Sequence, residues 1–209
     1  MKRFHSIPWL LIVMVSLLSA CAGIQQDYPA KRYYALNVPV AAGHAARTGK
    51  AVLQIAVFRA SPQAQGRSLI YRISDERYES DYYNEFLVPP ETMLADEARN
   101  FMDAQGIFKA VISKASLVFP DYVLEGNVVR MYGDYRNPRT PLAILELELF
   151  LLNTDTTQPR IVFHRNYVKE TTLSKPAPSD LVAGYDQLAA QIFTEFANDI
   201  RQSGVLRGN

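Results

Sequence analysis

The side chains that most often perform acid–base or metal chemistry are scarce in this sequence. It contains three histidines: His5 in the apolar N-terminal stretch, His44 in a small-residue loop, and His164 within a predicted strand. A zinc or catalytic constellation needs an imidazole with well-placed partners. His164 is better explained as a half-buried strand residue, so the sequence predicts no metal site.

Glu146 and Glu148 are the two carboxylates best spaced for joint acid–base chemistry. In a strand they share one face, opposite the face that carries Leu145, Leu147 and Leu149, and that alternation is typical of a solvated strand face. The Gly-x-Ser-x-Gly, His-Glu-x-x-His and Gly-x-x-x-x-Gly-Lys motifs are absent from the sequence. We therefore expect no catalytic residues, no cofactor and no enzymatic activity.

Cys21 is the only cysteine, and the residues before it predict a modification. Lys2 and Arg3 are followed by an apolar stretch over residues 7–18, which is the layout of a secretory signal. The stretch is too short for a membrane-spanning helix, which needs about 20 apolar residues. The sequence Leu18-Ser19-Ala20-Cys21 resembles the lipobox of bacterial lipoproteins, which implies cleavage before Cys21 and a covalent lipid on its sulfur. An uncleaved anchor and an ordinary cleaved signal are the alternatives.

The predicted lipidation also divides the chain and places it in the cell. We expect a lipoprotein signal peptide over residues 1–20, a tether over 21–30, and one folded domain over 31–205. Ala22, rather than Asp, follows the cysteine, and this pattern usually directs Gram-negative lipoproteins to the outer membrane, facing the periplasm. The formal net charge of +1 includes Lys2 and Arg3 of the signal. The remaining chain therefore has no net field to attract nucleic acid.

Hydrophobic periodicity predicts an α+β fold for the domain. Pro89-Pro90 and Gly106 bracket one amphipathic helix, and a second helix follows Pro178, with Ser179 as its N-cap and Gly204 as its stop. Segments with strand character are residues 33–38, 51–58, 69–73, 78–86, 121–132, 142–152 and 161–170, with 51–58 central and Ser74–Arg77 at a hairpin tip. The prediction is a single domain, a mostly antiparallel sheet with two helices packed on one face.

The segment from Gly66 to Phe86 mixes aromatic rings with arginines and acids, as protein interfaces do. The candidate partner-binding residues are Tyr71, Arg72, Tyr78, Tyr82 and Tyr83. The alternative is that alternate aromatic residues fill the core while the charged residues face water.

The order of these features resembles the ABC-type transport auxiliary lipoproteins over nearly the whole chain after Cys21. The segments that carry the resemblance are the lipobox, Tyr33-Tyr34-Ala35-Leu36, Gly66–Arg72, Tyr78–Pro90, the Met93-Leu94 helix, Tyr122-x-Leu124-x-Gly126 and the closing helix. Phe86 stands where Trp is expected in many relatives.

The resemblance implies a non-catalytic component of an envelope transport system. Such systems combine an ABC transporter, an MCE-domain protein crossing the periplasm, and a lipoprotein at the outer membrane; they move lipid or another hydrophobic substrate. A structural or assembly lipoprotein with no transport role is the alternative, and association with further copies of the chain stays open.

Overall fold

The computed structural model describes residues 29–40, 46–154 and 158–206. Cys21 with the predicted signal peptide, most of the predicted tether, and His44 lie outside the described residues. From Lys31 onward the described residues belong to one compact unit.

Nine strands and two helices form within the described residues. In chain order they are β1 (Arg32–Tyr34), β2 (Val52–Ile55), β3 (Arg59–Ala60), β4 (Ser68–Arg72), β5 (Tyr78–Phe86), α1 (Pro90–Ala104), β6 (Ala110–Ser113), β7 (Tyr122–Asp134), β8 (Leu142–Asn153), β9 (Arg160–Thr172) and α2 (Pro178–Ser203).

The sheet is organised around β7. Along one edge β7 pairs antiparallel with β8 over its whole length, and β8 pairs antiparallel with β9. Along its other edge, β2, β3 and β4 follow one another as short parallel partners. β6 extends the sheet beyond β2, while β5 and then β1 extend it beyond β4. The result is one mixed, mostly antiparallel sheet, as predicted.

Both helices pack against the sheet through the apolar stripes seen in the sequence. The inward residues of β8 are Leu145, Leu147, Leu149 and Leu151, all fully buried. The facing residues of α2 are Leu181, Tyr185, Leu188, Ile192, Phe193, Phe196 and Ile200. Each such side chain contributes roughly 1.5–3 kcal/mol on burial, so this layer is the main source of stability. The predicted α+β class, with two helices on the sheet, is confirmed.

The helix boundaries confirm the glycines predicted to end each helix but not the predicted N-cap of α2. Gly106 and Gly204 have φ of 65° and 72°, the left-handed conformation in which glycine ends a helix. The predicted N-cap at Ser179 is wrong: Ala177 occupies the cap position and Pro178 begins α2. Proline fits there because the first-turn N–H has no intrahelical partner.

Two strand predictions also change, and one further strand is present. The predicted strand over 33–38 shortens to β1 because the backbone N–H of Asn37 donates to Asp186 and that of Val38 to Glu97, both on the helices. The predicted strand over 51–58 is interrupted after Ile55 and resumes as β3. β6 was not predicted.

Phe58 explains that interruption. Its ring is buried and lies over Gly126 of β7, where an added Cβ would come within 2.7 Å of the ring. The strand bends to insert this ring, and β7 must carry glycine at the point of contact.

Candidate partner-binding surface

The predicted interface segment forms the β4–β5 hairpin, and β5 contains a large irregular bulge in its middle. β4 advances two residues from Ser68 to Ile70, while β5 uses five to pass from Ser80 to Glu85. The unmatched residues must leave the ladder, as they do in any β-bulge. The alternation of faces expected for a regular strand therefore ends at this point.

Asp81 holds the bulge together. Its carboxylate accepts hydrogen bonds from the backbone N–H groups of Tyr83 and Asn84, at 2.9 and 3.0 Å, and from the Asn84 side-chain amide at 2.8 Å. The Tyr71 hydroxyl donates to the same carboxylate at 3.2 Å. One acidic side chain thus satisfies a turn whose residues have no ladder partners on β4.

The bulge presents Tyr82 to solvent. Its side chain is 68% exposed, yet the Tyr83 ring lies edge-on at 5.1 Å and the Lys31 ammonium sits 4.3 Å from the ring centre. An exposed ring held by a neighbouring ring and a cation loses little conformational freedom on binding. Tyr82 therefore has the properties of an interface anchor.

Glu85 links Lys31, which contacts the Tyr82 ring, to Arg67, which lies just before β4. Lys31 and Arg67 both form ion pairs with its carboxylate, at 2.5 and 2.7 Å, and these hydrogen bonds hold the pKa of Glu85 below its usual range. Arg67 also lies over the exposed ring of Tyr33 at 5.5 Å. We call the resulting surface the tyrosine edge; its residues are Lys31, Tyr33, Arg67, Tyr82, Tyr83, Glu85 and Leu87.

Tyr71 is placed differently. It is partly buried against the core, and its ring meets that of Tyr135 edge-on at 5.0 Å. Burial, followed by the charge of Asp81, raises the pKa of Tyr71 well above its usual value. Tyr71 therefore contacts the bulge from the core side and supports its conformation.

Arg72 and Tyr78 lie at the hairpin tip. The Arg72 guanidinium donates to the carbonyls of Ser74 and Asp75, at 3.2 and 3.0 Å, so it closes the turn. Tyr78 is 48% exposed and packs edge-on against Tyr132 of β7 at 5.5 Å. The structure thus separates the five predicted residues: Tyr82 and Tyr83 belong to the tyrosine edge and Tyr78 is exposed at the hairpin tip. Tyr71 contacts the bulge from the core, and Arg72 closes the hairpin turn.

Arg136 forms ion pairs with both the hairpin tip and β7, a contact that the sequence did not reveal. Its guanidinium bonds the Asp134 carboxylate at 2.7 Å and Asp75 at 2.6 Å. Asp134 is buried, and hydrogen bonds from Arg136 lower its pKa. Asp75 lies in the β4–β5 turn and Arg136 in the β7–β8 connection, so no local pattern in the sequence predicts their ion pair.

Glu146 corrects one sequence expectation. Glu146 and Glu148 do share a face of β8, but Glu146 is only 8% exposed rather than solvated. Arg130 of β7 forms an ion pair with it, and the Asn166 amide of β9 donates to it at 2.6 Å. Glu148 instead meets His164 at 2.9 Å. Each carboxylate thus has its own partner, and His164 lies in a strand as expected.

Two further findings concern the described residues as a whole. Across residues 29–40, 46–154 and 158–206, no three His, Cys, Asp or Glu side chains are grouped to hold a metal ion. Nor does that part of the chain contain a helix long and apolar enough to span a bilayer.

The fold is similar to those of several solved structures. Protein XCC0632 from Xanthomonas campestris, of family DUF330, superimposes with a TM-score of 0.68 at 22% identity, covering 83% of this chain and 96% of that one. An uncharacterized protein gives 0.65 at 18% identity, covering 82% and 99%. The hypothetical protein CT253 from Chlamydia trachomatis gives 0.51 at 8%, covering 77% and 100%. No family model and no curated protein matches the chain. These likenesses show a shared fold.

Proposed function

We propose that this chain is an outer-membrane-anchored periplasmic lipoprotein and a non-catalytic auxiliary component of an ABC/MCE-type system moving lipid or another hydrophobic substrate between the membranes. The observation that carries the proposal is the tyrosine edge, a prearranged aromatic surface suited to a protein partner. The ordered motifs after Cys21 and the fold shared with XCC0632 support the same assignment.

The tyrosine edge favours a protein partner for two reasons. Its aromatic area is exposed, while its charged side chains already form ion pairs with one another. A partner that covers this surface therefore does not bury a charge without a counter-ion. Aromatic and arginine residues also carry most of the energy of protein interfaces.

The anchor is tested first by Cys21→Ser. Serine offers no thiol for lipid transfer, so we expect a protein that leaves the membrane fraction or accumulates as an unprocessed precursor. Unchanged mass and unchanged membrane fractionation would refute lipidation.

The partner is tested by purifying the full chain from detergent-solubilised envelopes and identifying bound proteins by mass spectrometry. We expect an MCE-domain protein, and we expect Tyr82→Ala to weaken its binding by about 30-fold, as loss of a ~2 kcal/mol contact does. Ile161→Ala is the matched control, because Ile161 is 58% exposed on β9, at the opposite edge of the sheet.

The competing function is a structural or assembly lipoprotein of an envelope complex. Recovery of assembly machinery without an MCE-domain protein would favour that reading. Equal binding by Tyr82→Ala and Ile161→Ala would mean that the tyrosine edge does not bind the partner under either function.

A further inference from the structure

The connection between β6 and β7 carries the most exposed apolar side chains among the described residues. Leu117 is 97% exposed, Phe119 94% and Val118 53%. We call residues 116–120 the apolar loop. Single exposed hydrophobic residues are ordinary, but three consecutive ones, two of them almost fully exposed, are typical of an interaction site.

The apolar loop is a defined turn. The backbone N–H of Ser116 donates to the carbonyl of Ser113 at 3.1 Å, and the Ser116 hydroxyl accepts from the N–H of Val118 at 3.2 Å. These bonds hold the large side chains outward on a small convex tip.

The surroundings of the apolar loop are basic. Lys114 lies two residues before it, and Lys50 and Lys109 flank the starts of β2 and β6 at the same end of the sheet, where Lys109 N–H bonds Ala51. In the described part of the chain none of these exposed lysines forms an ion pair. Asp121, which follows the apolar loop, adds one carboxylate, which accepts the N–H of Val52 at 2.6 Å; the three lysines outnumber it.

We propose that the apolar loop inserts Leu117 and Phe119 into the surface of an anionic lipid bilayer, with the lysines at the headgroups. A convex apolar tip beside basic side chains is the combination by which peripheral proteins bind membrane interfaces. The charge pattern favours a lipid surface over an apolar protein pocket, because three unpaired cations would need three acids on a protein partner. The inference is independent of the transport role.

The position of the apolar loop is compatible with the predicted anchor. Arg32, where the chain enters the sheet, pairs with Asn84 of β5. The next residue, Glu85, pairs with Ser68 of β4, which lies three residues before Tyr71, the partner of Gly133, so Arg32 is level with about residue 130 of β7. The apolar loop precedes the first residue of β7, so the two points lie about 30 Å apart along that strand. A chain from Cys21 to Arg32 spans at most about 40 Å. The same bilayer can therefore hold the lipid and receive the loop.

The experiment places a tryptophan at the tip. The sequence has one tryptophan, Trp9, within the predicted signal peptide, so Phe119→Trp supplies a single reporter in the processed chain. Full-length protein purified from membranes is reconstituted into vesicles of phosphatidylethanolamine and phosphatidylglycerol containing brominated lipid. Tyr82→Trp, at the exposed tyrosine edge, is the control.

We expect a blue-shifted emission and bromine quenching for Phe119→Trp but not for Tyr82→Trp. Adding Leu117→Ser to Phe119→Trp should lower the equilibrium constant for insertion by about tenfold or more, since one buried leucine is lost, whereas Ala115→Ser should not. Replacing phosphatidylglycerol with phosphatidylcholine should weaken quenching as well.

Three results would overturn the proposal. They are the absence of quenching at position 119, equal quenching at positions 82 and 119, and a blue shift that is present without vesicles. The last result would mean that a protein surface, a second copy included, covers the loop. Melting curves of each variant confirm that the comparison concerns folded protein.

Discussion

Replacing Asp81 tests whether the tyrosine edge is built as the structure indicates. Asp81→Ala removes the acceptor for the N–H groups of Tyr83 and Asn84, for the Asn84 amide and for the Tyr71 hydroxyl. A hydrogen bond to a charged group contributes about 1.5–3 kcal/mol, but most of these donors lie in a half-exposed bulge and can turn to water. We therefore expect the free energy of unfolding to fall by about 2–4 kcal/mol, below the ~3–6 kcal/mol of two such bonds, because water replaces part of what is lost.

The assay is urea unfolding at neutral pH, with the slope of the transition compared between variants. Asp81→Asn keeps an acceptor oxygen for the backbone N–H groups and should lose less stability. Asp75→Ala is the matched control: Asp75 is 80% exposed, and its surface ion pairs are worth little. If Asp81→Ala is no less stable than Asp75→Ala, the carboxylate does not organise the bulge and our account of how Tyr82 is presented fails.

Three further predictions concern stability. Gly126→Ala should lower stability by about 1–3 kcal/mol in thermal melting, because its Cβ meets the buried Phe58 ring at 2.7 Å; an unchanged melting temperature would contradict this. Tyr71→Ala should lower stability by about 2–4 kcal/mol in thermal melting, because its ring packs against the core and its hydroxyl donates to Asp81; intact stability with lost binding would place Tyr71 in the interface instead. The lowered pKa of Asp134 means that its contribution is present above the unfolded value of about 4 and is lost as pH falls through the folded value. Arg136→Gln should therefore reduce the loss of unfolding free energy as the pH falls below about 4. An equal loss in Arg136→Gln and wild type would refute the pairing.

Periodic elements of the fold were readable from the sequence, because their signal lies within one segment. Alternating leucines placed one face of β8 in the core, and Gly106 and Gly204 marked the helix ends. β3 and β6, with two and four residues, are too short to show a period. They form because a neighbouring strand offers unpaired backbone groups.

The same limit applies to the candidate surface. The sequence could not show that Glu146 is covered, since a register shift in β7 between Val128 and Arg130 is what brings Arg130 opposite it. Nor could alternation separate Tyr71 from Tyr82. The bulge held by Asp81 intervenes and changes which side chains face solvent.

The order of strand pairing along the chain has a consequence for the export that we propose. A secreted polypeptide crosses a membrane N-terminus first, so β1 to β6 emerge before β7, the strand that β2, β3 and β4 require. Apart from the β4–β5 hairpin, the pairings available until then are short and parallel, and such pairings form slowly. The segment from β7 to α2 is continuous in sequence and supplies the long antiparallel ladders and their helical cover. We therefore expect the segment from β7 to α2 to fold first as a local unit, with the earlier strands held unfolded until they add to its edge.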